Sequence, residues 1–334
     1  MAFEDSLHGA ISSATLGANG VHRAARSRLV ADGVLKQPVR GVFTFAGAPH
    51  TYEQDCAVAL ILGGPDAAIA GVAAARLHDL DGFAPRRGKP VTVGGRGQVL
   101  GERATIAGRT PSVNVPRSSG RRGDDLRRVD AIDDVCRIDG LRVIGVTQTL
   151  IELGAGLPET QSPGGHRLRA ADLVELALES ALHRKLTALD HIRDVLNGVG
   201  RTSAGAATLR RVLTVRPSDI AATESWLETR TVQVLRTAGI MDLERQVEIR
   251  TPSGVRIGRV DFRRRPVIIE CDGAEWHPDF EEDRKRWAAL QSAGYLVLPA
   301  TFQMVEFRTS EFIRTLRELT EQADRSALRR RGSG

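Results

Sequence analysis

Along the last third of the chain, hydrophobic residues switch between helical and alternating spacing. Ile220, Leu227, Val234 and Leu235 form one helical stripe, with Ser218 or Asp219 as a cap, and Glu224 and Glu228 fall four apart on one face. Residues 246–250 alternate as a strand. Two further strands, 255–262 and 266–271, are joined by the basic turn Arg263-Arg264-Arg265. A helix opening at Asp279 or Asp283 and ending at Gly294, a strand over 295–299 and a helix over 306–321 complete the order αβββαβα.

Upstream, Asn19 or Gly20 is placed to cap a helix through Val21, Ala24, Ala25, Arg28, Leu29 and Ala31, with His22, Arg23, Arg26 and Arg28 on its exposed face, and Asp32-Gly33 stops it. Strands 34–36 and 41–45 follow. Helix, helix and hairpin outline a winged helix-turn-helix that offers Arg23 and Arg26 to DNA. The middle of the chain is a mixed region of helices and a small sheet. Its expected helices are 52–62, 67–80, 147–153 and 170–185, and its short strands 89–93, 104–106, 112–115 and 141–143. The expected domains are 1–50 (winged helix-turn-helix), 51–216 (mixed α+β) and 217–325 (α/β), with a disordered tail over 326–334.

The 334 residues carry a net charge of +6 at pH 7, with a pI near 9.8, which points to nucleic acid as the partner. Cys56, Cys136 and Cys271 lie far apart and form no CxxC pair. This argues against a disulfide framework or a structural zinc site and for a reducing compartment. Apolar runs are too short to span a bilayer, and Glu4 and Asp5 precede no signal-like segment. A cytoplasmic protein with no membrane partner and no small-molecule cofactor is expected. Phosphate-loop, serine-esterase and zinc-protease motifs do not occur in the sequence.

The richest chemistry lies between Arg259 and His277. Glu270 and Asp272 share one face of the predicted strand, Cys271 points the other way, and a hairpin would bring Asp261 beside them. Carboxylates packed that closely resist ionising unless a cation sits among them, and oxygen ligands suit Mg²⁺ or Mn²⁺. Asp261, Glu270 and Asp272 are therefore the expected metal ligands. Arg256, Arg259, Arg263, Arg264 and Arg265 crowd around Asp261 as candidate phosphate-binding groups, with Arg259, Arg263 and Arg264 foremost. His277 is placed for proton transfer. Asp283 and Arg286 are spaced as a structural pair on one helical turn, while Lys285 or Arg286 could instead supply a cation to the site.

Asp261, Glu270-x-Asp272-Gly273, Trp276-His277, Asp283-x-x-Arg286 and Gly294, with Ser225-Trp226-Leu227-Glu228 upstream, resemble the DUF559 type of domain. That type is similar to the very-short-patch mismatch repair endonuclease and has the PD-(D/E)xK restriction-endonuclease-like fold. The resemblance implies metal-dependent hydrolysis of DNA, with Asp261, Glu270, Asp272, His277 and the helical Glu228 in the catalytic set. The general pattern has lysine where this chain has Asp272. The N-terminal half resembles, in outline, the AbiEi-type antitoxin of type IV toxin–antitoxin systems. Two functions stay open at this stage: an endonuclease, and a non-catalytic DNA-binding regulator or antitoxin that keeps the nuclease fold.

Overall fold

The structure, a computed structural model, describes residues 6–83, 92–93, 98–99, 113–116, 126–129, 134–200, 203–216, 220–251, 253–272 and 280–332. It is mixed α/β with several small sheets and divides into two compact units. The first comprises residues 1–79 and 106–155, the second 80–105 and 156–334.

The first unit opens with strand β1 (Ala10–Ser12), helices α1 (Ser13–Ala18) and α2 (Arg23–Ala31), and strands β2 (Leu35–Val39) and β3 (Val42–Phe45), which pair antiparallel in the order β1-β3-β2. The Ser12 hydroxyl caps α1 by accepting from Thr15 N at 2.9 Å. Asn19 ends α1 and does not cap the next helix. Gly20 turns the chain at φ +78°, and α2 starts at Arg23 after His22. The turn over 19–22 consumes the residues that sequence spacing assigned to a helix start. Ile11, Leu16, Leu35 and Phe43 form a small core with Val21 and Leu29 against it. Ala24, Ala25 and Ala31 are exposed, and from this helix and the residues flanking it only Val21 and Leu29 pack on this core, beside Phe45 of β3.

The rest of this unit contains α3 (Tyr52–Gly63), β4 (Ala68–Ile69), α4 (Gly71–Leu77), β5 (Val113–Pro116), β6 (Leu126–Val129), β7 (Val135–Ile138), β8 (Leu141–Ile144) and α5 (Val146–Gly156). The sheet order is β6-β5-β4-β8-β7. The alanine-rich run expected as one helix over 67–80 splits into β4 and α4. Ala68 and Ile69 are wholly buried between Val113 and Val143, and Gly71 at φ +57° redirects the chain into the helix. Tertiary pairing overrides alanine's helix propensity here. The expected strand over 104–106, and residues 89–91 and 112 of two other expected strands, lie outside the described residues.

The second unit carries α6 (Ala170–His183), α7 (Leu189–Gly198), α8 (Ala204–Val215), α9 (Trp226–Thr237), β9 (Glu244–Arg250), β10 (Arg256–Arg264), β11 (Val267–Glu270), α10 (Phe280–Ser292), β12 (Leu296–Pro299), α11 (Phe302–Phe307) and α12 (Thr309–Gly332). The sheet runs β9-β10-β11-β12, antiparallel except for the parallel β11–β12 pair that α10 connects. One face packs Phe262, Val267, Ile269 and Leu298 against α9, α11 and α12, and the other packs Val260 and Ile268 against Leu290 of α10. Ser225, accepting from Glu228 N at 3.2 Å, caps α9. The expected caps Ser218 and Asp219 lie outside the described residues, and Ile220 precedes the helix. The final helix continues to Gly332, so 326–332 is helical where a disordered tail was expected. Ser326-Ala327-Leu328-Arg329-Arg330-Arg331 contains no helix breaker before that glycine.

Among the described residues, no helix is long and apolar enough to cross a membrane.

Candidate functional site

The hairpin β10–β11 brings Asp261 and Glu270 together. Its register pairs Phe262 with Ile269, which leaves Asp261 and Glu270 as the next facing residues. Asp261 N donates to Glu270 Oε2 at 3.4 Å, and Cys271 N donates to Asp261 Oδ2 at 2.7 Å. On β10, Phe262 packs toward α9 while Val260 packs toward α10, so the strand changes face at Asp261. Opposite this point Gln246 adopts φ +52°, between the pairs Arg245–Phe262 and Val247–Val260. Non-glycine residues are rarely held there without surrounding support. The twist delivers Gln246 Nε2 to Glu228 Oε2 at 2.8 Å. Glu228, in the first turn of α9, also accepts from Glu224 N at 2.9 Å.

Burial pushes the Glu228 carboxyl up to about 7. The neighbouring Asp261 charge pushes the same way, against the Glu224 N–H bond. Asp261 is raised for the same first reason. The Cys271 N–H and the charges of Arg286 and Arg259 pull it back, while Glu224 adds to the rise. Glu270 is buried and meets Arg286 Nη2 at 2.8 Å through Oε1, and Arg286 Nη1 donates to the Arg259 carbonyl at 3.0 Å. Glu228 and Asp261, raised by burial first and by neighbouring acidic charge second, are groups a nearby divalent cation would stabilise in ionised form. The oxygen donors fit Mg²⁺ or Mn²⁺ in type. Among the described residues, no group of three His, Cys, Asp or Glu side chains is arranged around one cation position.

Other expected site residues are placed differently. β11 stops at Glu270, whose carbonyl accepts from Ala300 N at 2.7 Å, so strand alternation does not extend to Asp272, which is exposed. His277 lies outside the described residues. The arginines expected to face phosphate are engaged with carboxylates of the same unit: Arg256 with Glu248 at 3.0 Å, Arg259 with Glu224 at 2.7 Å, Arg263 with Glu244, and Arg264 with Asp242 at 2.8 Å. Lys285 is exposed, and it is Arg286 that reaches the site. In the first unit Arg23 is exposed, whereas Arg26 turns inward to the Ser13 carbonyl.

Sequence reasoning missed the polar network behind the site. Glu179 is 1% exposed and binds Arg216 at 3.0 Å, Arg245 at 3.1 Å and the Thr223 N–H at 3.2 Å. Glu175 binds Arg236 and Gln233, and Glu306 binds Arg230, Ser162 and the Gly164 N–H. A Cβ on Gly164 would lie 1.8 Å from the Glu306 carbonyl oxygen, so this approach requires glycine. The available signal was two glutamates at i, i+4 inside the apolar run Leu173-Val174-Glu175-Leu176-Ala177-Leu178-Glu179.

No protein-family model matches the chain, and comparison with curated proteins finds no significant match.

Proposed function

We propose that the protein binds DNA and that its second unit is a restriction-endonuclease-like domain, hydrolysing DNA phosphodiester bonds with Mg²⁺ or Mn²⁺. The observation that carries this reading is the facing of Asp261 and Glu270 at one end of the β10–β11 hairpin, where the Asp261 charge adds to the burial that pushes Glu228 to about 7. The order of α9, β9, β10, β11, α10, β12 and the closing helices supports the same comparison. Asp261 and Glu270 would hold the metal, with Asp272 beyond the strand end as a third ligand or a water-positioning group. The bound ion would polarise a phosphoryl oxygen and activate a water. Glu228, held near neutrality, suits holding or passing a proton, as does His277. Arg259, Arg263 and Arg264 in this unit, with Arg23 on α2, would meet phosphates by exchanging their internal carboxylate partners for DNA. The two helices and three-stranded sheet that open the first unit support a winged-helix role for α2. A cytoplasmic location fits this reading.

A second reading, a non-catalytic DNA-binding regulator or antitoxin, is favoured by one feature: Arg286 already neutralises Glu270, so the carboxylate cluster holds together without a metal. One experiment separates the two. Purified full-length protein is incubated with supercoiled plasmid and Mg²⁺, Mn²⁺ or EDTA, alongside Asp261→Ala and Glu270→Ala. Nicking with metal, lost in EDTA and in both variants, is the expected result. DNA binding without cleavage on duplex, mismatched or single-stranded substrates transfers the conclusion to the regulator.

A further inference from the structure

We propose that Arg286 is the positioning cation of the candidate site, holding the Glu270 carboxylate in place and competing with a divalent ion for it. This rests on the nuclease reading above. Three observations carry it. The guanidinium is fixed at two points on neighbouring strands, Nη2 on Glu270 Oε1 at 2.8 Å and Nη1 on the Arg259 carbonyl at 3.0 Å. Its stem crosses bare backbone: a Cβ on Gly258 would lie 3.3 Å from Arg286 Cδ, so β10 leaves room for this side chain. Its Nε is buried with no hydrogen-bond partner, a cost the two-point hold must outweigh. Arg259, whose charge also acts on Asp261, is tied to Glu224, and Lys285 is exposed.

A positive charge within hydrogen-bond distance of a carboxylate repels a divalent ion approaching the same oxygens. Arg286 therefore weakens metal binding while aiming Glu270. Removing the charge frees Glu270 for the ion and lets the carboxylate drift, so affinity and turnover move in opposite directions. A purely structural ion pair would lower both or neither.

The test uses the full-length chain, with Mn²⁺ binding by calorimetry, Mn²⁺-dependent plasmid cleavage, and DNA binding by anisotropy. Arg286→Gln is expected to bind Mn²⁺ about tenfold more tightly, to cleave about a hundredfold more slowly, and to bind DNA as wild type does. Arg286→Lys keeps the weaker Mn²⁺ affinity. Gly258→Val displaces the stem without removing the charge and slows cleavage too, which serves if Arg286→Gln does not fold. Unchanged or weakened Mn²⁺ affinity in Arg286→Gln overturns the proposal. Wild type that binds Mn²⁺ and cleaves while Arg286→Gln matches it overturns only the role of Arg286. Wild type that neither binds Mn²⁺ nor cleaves removes the nuclease reading, and Arg286 with it.

Discussion

Glu228 shows how far a single side chain departs from its solution chemistry once the fold has placed it. In water its carboxyl is ionised at neutral pH. Here it is 5% exposed, beside Asp261, and is raised from 4.5 to about 7. The native state therefore holds a proton between these values that the unfolded chain has released, and stability falls as pH rises through that window. A shift of this size corresponds to roughly 3 kcal/mol. Glu228→Gln keeps an acceptor for Glu224 N and cannot ionise. It should match wild type below pH 4.5 and exceed it by up to roughly 3 kcal/mol above pH 8, as read from urea denaturation at both ends. Equal pH dependence in the two proteins would place the carboxyl in a more solvated setting than the structure gives it.

At the scale of elements, the second unit is tied together by charges buried between helices and strands. Glu179 on α6 meets Arg216, just past α8, and Arg245 on β9. Breaking such a group leaves two cations buried without their partner. Glu179→Ala should lower stability by about 3–5 kcal/mol, read as a shift of the urea midpoint. Glu159→Ala, which breaks an exposed pair with Arg167, should leave the midpoint where it was. The hairpin at the site was legible in the β-branched density of 266–269. The face switch at Asp261 was not, because it depends on Gln246 at φ +52° in a different strand.

At the scale of the whole molecule, the proposed DNA binding by a chain of net charge +6 should weaken with salt, and the number of arginines is not by itself the number of phosphate contacts expected. Arg23 is free to face solvent on α2, while Arg26 spends its guanidinium on the Ser13 carbonyl. Arg23→Ala should reduce the salt slope of duplex binding by about one unit. Arg26→Ala should leave the slope nearly unchanged and lower thermal stability instead. Equal slope changes in the two variants would contradict the inward placement of Arg26.

Local patterning determined much about this protein. Periodicity placed α3, α6, β11 and α10 close to their observed spans, and the acidic strand end marked Asp261 and Glu270 as neighbours, because hydrophobic spacing and strand alternation are properties of adjacent residues. Partners remote in the chain were decided only by tertiary structure. Arg286 pairs with Glu270 and the turn arginines pair with their own carboxylates because the sheet and helices converge there. Ala68 and Ile69 form a strand, not a helix, because they are buried between two others. Asp272, two residues past the end of the ladder, loses the alternation that sequence assigned to it, since that rule holds only while the strand is hydrogen-bonded.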